Sequence, residues 1–156
     1  LETATIENSK NTGNVIGSTN IGGIAGESKG TITQCRNDGQ VSKVVGVICK
    51  TVNLGGLVGK NGEAARLSNS KNYGNVNSET DTLVNLGGIC GILYNNSIVE
   101  LCENNGAISG SGKEIIPNED TNTNCASCTS NNGGSASTDD FGQLNIGIIY
   151  GKYQEI

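Results

Sequence analysis

The chain has 156 residues, a net charge of −5, no His, Trp or Met, and aromatic residues at only 3%. A hydrophobic fraction of 34% cannot fill a wide globular core, but it suffices for a thin one lined by one or two aliphatic side chains per strand. The scattered charge forms no basic stripe, which argues against a nucleic-acid partner, and no run approaches the roughly 18 apolar residues of a membrane helix, which argues against membrane insertion.

In chain order, the first predicted strands centre on Ile6 and Val15, on either side of an Asn11-Thr12-Gly13 turn. A glycine-rich segment, Asn20-Ile21-Gly22-Gly23-Ile24-Ala25-Gly26, follows. Both halves then return. Ile32, Asn37-Asp38-Gly39 and Val41 precede Asn53-Leu54-Gly55-Gly56-Leu57-Val58-Gly59. Leu67, Asn72-Tyr73-Gly74 and Val76 precede Asn85-Leu86-Gly87-Gly88-Ile89-Cys90-Gly91. A further first half is carried by Val99, Asn104-Asn105-Gly106 and Ile108. The asparagines of the second half lie 33 and 32 residues apart, and a period of that size signals stacked repeats. Equivalent positions are homogeneous: Ile6, Ile32, Leu67 and Val99 are aliphatic, and Ser9, Cys35, Ser70 and Cys102 are small. Apolar residues placed with the repeat favour an ordered chain over a disordered one.

These columns predict short β-branched strands and few helices. The expected fold is all-β: a right-handed parallel β-solenoid of about five rungs, each of about 30 residues, with a β-sandwich built from the same strands as the competitor. Asn11, Asn37, Asn72, Asn104 and Asn131 are expected to form a structural ladder, each carboxamide bonding to the repeats on either side. Gly13, Gly39, Gly74 and Gly106 are expected to take positive φ at the bend. The whole of residues 1–156 reads as one repeat domain, cut from a longer chain with open ends that invite self-association.

Residues 109–143 break the pattern and read either as a degenerate rung or as an inserted loop. Asn131-Asn132-Gly133 supplies another turn, with Cys128 one residue off the small column. Asn145-Ile146-Gly147 lies 60 residues after Asn85, about two periods, so the missing half centres on Glu114-Ile115-Ile116-Pro117, with Pro117 at a corner or a distorted edge.

The phrase Gly22-Gly23-Ile24-Ala25-Gly26, then Gly30-Thr31-Ile32-Thr33-Gln34-Cys35-Arg36-Asn37-Asp38-Gly39-Gln40-Val41, resembles the GLUG-type repeats of bacterial surface and secreted proteins. Such repeats also occur in IgA-cleaving metallopeptidases. The resemblance covers residues 6–109 well and 110–151 weakly. It implies an extracellular or cell-surface location and a role as stalk, spacer or adhesive segment. It brings no peptidase chemistry, because a His-Glu-x-x-His zinc site requires histidine and the chain has none.

The remaining constellations each have a bland reading. Cys125-Ala126-Ser127-Cys128 invites zinc or redox chemistry but lacks a second pair of ligands. Small-column packing accounts for Cys35, Cys102 and Cys128, with Cys102–Cys128 the first candidate disulfide and Cys125–Cys128 the second. Glu119, Asp120, Asp139 and Asp140 form no calcium loop, and Arg36, Asp38, Lys43 and Glu63 could lie on one face, but their spacing neither repeats nor converges. No catalytic residue, cofactor or metal is assigned. Tyr73, Tyr94, Tyr150 and Tyr153 are the aromatics available for stacking, with Tyr73 and Tyr94 the candidate exposed contacts. The expected activity is therefore a non-catalytic surface module whose partners are a host glycan or protein and the adjacent repeats of its parent chain. The alternatives are a carbohydrate-active β-helix enzyme fragment and an accessory exosite of a secreted peptidase.

Overall fold

The structure is a computed structural model that describes residues 4–79, 81–94, 96–117, 125–132, 134–147 and 149–154; the side chains of 125, 138–141 and 153 also lie outside the description. It is all-β, and no helix occurs among the described residues, so none is long and apolar enough to cross a membrane. The strands pair in parallel with their equivalents in the next repeat, giving a β-helix-like stack.

Four sheets carry the described strands. Sheet I stacks Thr5–Glu7, Thr31–Thr33, Arg66–Ser68, Ile98–Glu100 and Cys125–Ala126. Sheet II stacks Lys10–Asn11, Arg36–Asn37, Lys71–Asn72, Glu103–Asn104 and Thr129–Ser130. Sheet III holds two columns, Val15–Gly17, Val41–Lys43 and Val76–Asn77 in one, and Asn20–Gly22, Val52–Gly55 and Leu83–Gly87 in the other. Sheet IV stacks Ala25–Ser28, Val58–Asn61, Cys90–Tyr94 and Tyr150–Gln154. The aliphatic columns pair in register: Ile6, Ile32, Leu67 and Val99 in sheet I, and Val15, Val41, Val76 and Ile108 in sheet III.

The interior is split in two. One cluster gathers Ile32, Leu57, Leu67, Ile89, Leu93 and Val99 beneath sheets I and IV; the other gathers Val41, Leu54, Val76, Leu86 and Ile108 within sheet III. Between them the Gly-Gly backbone lies directly against the asparagine carboxamides of sheet II. A Cβ at Gly23 would stand 2.2 Å from Asn37 Cγ, and one at Gly56 would stand 2.2 Å from Asn72 Nδ2. The two halves of the repeat phrase are thus complementary, since glycine leaves out the atoms whose space the carboxamide takes.

Turn chemistry departs from expectation. Gly13, Gly39, Gly74 and Gly106 do not have positive φ; among the described glycines only Gly46 and Gly142 do. Their smallness serves stacking instead, because a Cβ at Gly74 would meet Gly39 O at 1.8 Å and one at Gly106 would meet Gly74 O at 2.0 Å. The left-handed corner falls three residues before each ladder position, at Asn8, Gln34, Asn69, Leu101 and Ser127. There the small column has a bonding role. Ser9 and Ser70 hydroxyls donate to Glu7 O and Ser68 O, and Cys35 and Cys102 thiols donate to Thr33 O and Glu100 O. Leu101 is the costly member, with φ 51° and a side chain 55% exposed. A left-handed conformation costs a branched L-residue about 1–2 kcal/mol, which asparagine partly relieves. Leu101→Asn is therefore expected to stabilise the protein by about 1 kcal/mol, read as a higher denaturant midpoint at unchanged slope.

The irregular region is built from strands in an unexpected order. Ile108–Pro117 and Gly134–Gly147 pair along their lengths, with a register shift between Gly112 and Glu114. Asn145 does not sit two repeats beyond Asn85. It pairs with Asn85 directly, and Ile116 pairs on its other side. The C-terminal strand therefore fills the position that residues 114–117 pass over. This pairing buries Leu144 and Ile146 in the sheet III cluster, whereas Ile116 stays exposed. Pro117 is the last residue of its strand and pairs with Ile146, beyond the register shift between Gly112 and Glu114.

Candidate lateral contact face

Two ladders of asparagine fix the geometry from within. In sheet II, Asn11 Nδ2 donates to Asn37 Oδ1 (2.8 Å), Asn37 to Asn72 (2.9 Å) and Asn72 to Asn104 (2.8 Å). Each Nδ2 also donates to the carbonyl of the glycine two residues on, whose N–H donates to Oδ1. Both amide hydrogens and both oxygen lone pairs are used, so a fully buried polar side chain carries no unmet demand. In sheet III the second ladder runs the other way: Asn53 donates to Asn20, Asn85 to Asn53 and Asn145 to Asn85, each at 2.7 Å.

Asn131 is not part of the sheet II ladder. Ser130 pairs with Asn104, accepts its amide at 3.3 Å and donates to Asn132 O, as the asparagines do two residues on. The true equivalent of Asn-x-Gly is therefore Ser130-Asn131-Asn132, one residue earlier than the sequence motif suggests. With that shift Cys128 stands two residues before the ladder, in line with Cys102.

Rigid inward columns leave the outer side of sheet II free to vary. Lys10, Arg36, Lys71, Glu103 and Thr129 succeed one another along the stack. Beside them run Asp38, Tyr73, Asn105 and Asn131, whose N–H groups bond to successive ladder carbonyls. Tyr73 is exposed at 39%, and the Arg36 guanidinium lies 4.2 Å from its ring centroid. Asp38 ties Arg36 (2.5 Å) to Lys10 (2.8 Å), and Lys71 meets Glu103 at 2.9 Å. Asn105 and Asn131 both donate to Glu103. The Arg36 hydrogen bond, then that of Lys10, holds the Asp38 carboxyl below its ordinary range. Lys71, then Asn105, does the same for Glu103. In return Asp38 raises Arg36 and Glu103 raises Lys71. The small stability these carboxylates add is present above their unfolded pKa and lost as pH falls through the depressed folded values.

The other predicted residues disperse. Tyr94 lies on a different sheet, half-buried at the end of the sheet IV strand, so the two candidate tyrosines do not share a site. Tyr150 is 1% exposed and belongs to the core, because it pairs with inward-facing Cys90; the Tyr153 side chain lies outside the described residues. Lys43 is not on the face of Arg36 and Asp38 but buried against Asp81, an interaction that the sequence separation of 38 positions conceals. Cys102 and Cys128 are not joined: Cys102 is a free buried thiol aimed at its corner carbonyl, while Cys128 is disulfide-bonded. The Cys125–Cys128 alternative falls on a side chain outside the described residues, as do the side chains of Glu119, Asp120, Asp139 and Asp140. Burial pushes the Cys102 thiol up to about 11 and Cys90 well above its ordinary value, so both remain protonated and unreactive near neutrality. No cluster of three metal-ligating side chains occurs among the described residues.

Comparison with protein-family profiles, characterised proteins and solved structures returns no significant match.

Proposed function

We propose that the chain is a non-catalytic repeat module of a bacterial extracellular or cell-surface protein: a right-handed parallel β-solenoid of about five rungs, acting as stalk or adhesive segment. One observation carries this reading. Inward positions repeat almost without change, whereas the outward columns of sheet II change from Lys to Arg to Lys to Glu and from Asp to Tyr to Asn. A constant interior makes length; a varying exterior suits recognition. The Arg36–Tyr73 pair supplies the two residue types most enriched at binding hot spots, bracketed by charges that set partner choice. The resemblance to GLUG-type repeats supports the same location and role.

The test is binding to immobilised host glycans and extracellular proteins, with wild type and the double variant Arg36→Ala/Tyr73→Ala at equal Tm. Loss of about 2 kcal/mol of affinity, roughly 30-fold, is expected from removing such an anchor. Binding unchanged in the double variant would remove the face from the reading, and turnover of any glycan would overturn the non-catalytic assignment. The enzyme alternative draws on one feature: Glu27 and Glu63 line a common groove. Paired carboxylates there would need the separation that glycoside hydrolysis imposes.

A further inference from the structure

That groove lies on another side of the molecule from the Arg36–Tyr73 face. It is an open depression of about 380 Å³ lined by Glu27, Lys29, Lys60, Gly62, Glu63 and Tyr94. Its origin is legible in the strand register. In sheet IV, Glu27 pairs with Lys60, and Lys60 with Ile92. One residue beyond the paired positions, Lys29 follows Ser28, Gly62 follows Asn61 and Tyr94 follows Leu93. Gly62 thus contributes no side chain between a lysine and a tyrosine, and the notch between them is the groove. A Cβ at Gly62 would already stand 3.1 Å from Ser28 O, so the floor is backbone.

The lining has a definite chemistry. The Glu27 carboxylate lies 3.2 Å from Lys60 Nζ and 3.9 Å from Lys29 Nζ, and the Asn20 amide donates to it at 3.4 Å. Lys60 Nζ stands 5.4 Å from the Tyr94 ring centroid. Two ammonium groups and two carboxylates leave the groove with no net charge, so it selects neither anions nor cations. It offers instead donors and acceptors side by side, next to an aromatic ring. Vicinal hydroxyls, each able to donate and accept, fit that alternation, and the apolar face of a sugar ring fits the tyrosine. The volume falls at the lower end of small-ligand sites, and the groove crosses three strands, roughly 10 Å at the spacing of a parallel sheet.

We propose that the Glu27–Lys60–Tyr94 groove binds a short, uncharged saccharide, with Tyr94 as stacking platform and Glu27 and Lys60 as the hydroxyl-reading pair. This site is separate from the sheet II face, so either can fail without the other.

The experiment is saturation-transfer NMR on the folded chain with neutral mono- to tetrasaccharides, followed by titration of the best one against wild type, Tyr94→Leu and Glu27→Gln. Selective saturation of one sugar is expected, with affinity falling about tenfold in Tyr94→Leu, as loss of an aromatic contact implies. Glu27→Gln keeps the shape and serves if the leucine variant loses its fold. No saturation of any sugar at millimolar concentration would overturn the proposal, as would affinity unchanged in Glu27→Gln. Release of reducing ends from the bound sugar would overturn it as a binding groove and would overturn the non-catalytic reading as well.

Discussion

Asn72→Ala is expected to cost about 3–5 kcal/mol and to split the stack into two weakly coupled halves. Asn72 is fully buried and makes four hydrogen bonds: to Asn104 Oδ1, to Gly74 O, and as acceptor from Asn37 Nδ2 and Gly74 N. Truncation orphans the Gly74 N–H and C=O in a buried place, because the Gly56 backbone packs directly against the carboxamide. Each orphaned group costs about 1–3 kcal/mol, and the cavity adds to that. Asn11→Ala, at the half-buried first position of the same ladder, is expected to cost only about 1 kcal/mol, since water can reach the groups left behind. Equilibrium denaturation of both variants checks the contrast. Equal losses at the two sites would mean that the ladder adds nothing beyond local turn geometry. Asn72→Asp sharpens the point. Its carboxylate would face Asn104 Oδ1 with no proton to donate, so stability is expected to recover on acidification, when the carboxyl becomes a donor.

How much of this was legible beforehand differs by level. The homogeneous columns Ile6–Ile32–Leu67–Val99 and Asn37–Asn72–Asn104 predicted parallel stacking, because identical residues one period apart pack only if they meet. Their spacing could not show what each position does. Glycine at Gly74 suggested positive φ, but the determining contact is Gly39 O at 1.8 Å, which belongs to another repeat. The left-handed corner at Gln34 and Leu101 was invisible, since neither residue type announces it. At the C-terminal end the motif Asn131-Asn132-Gly133 misled by one residue. Ser130, with a shorter side chain, does the ladder's work there, and a hydroxyl in place of a carboxamide hides the register. The candidate faces follow the same logic. Tyr73 was readable as exposed because it fills the middle of a turn, whereas the Tyr94 groove depends on Gly62 being aligned between Lys29 and Tyr94, a relation between three repeats.

Asp81→Asn is expected to be the most damaging charge change in the protein, at about 3–5 kcal/mol. Lys43 and Asp81 have side chains 3% and 0% exposed, with Nζ 3.1 Å from Oδ2. Lys43 also donates to Val44 O and Val47 O, and Asp81 Oδ1 accepts from Cys49 N and Thr82 N. The pair thereby anchors the excursion over residues 44–51, whose Val45 and Ile48 are exposed and supply no burial of their own. Against the backbone of Asp81 sits Gly142, at φ 82°, where a Cβ would stand 1.7 Å from Asp81 O. The ion pair thus lies where that excursion meets the strand that carries Gly142. The amide oxygen can still accept the two N–H groups, so the loss reports a buried ammonium left without its counter-charge and facing the new NH2 donor. The double variant Lys43→Met/Asp81→Asn is expected to recover most of it, because the charge is gone and the methionine fills a similar volume. Chemical denaturation of the two variants is the check. A double variant no more stable than Asp81→Asn would show that the carbonyl contacts of Lys43, rather than its charge pairing, hold the excursion in place.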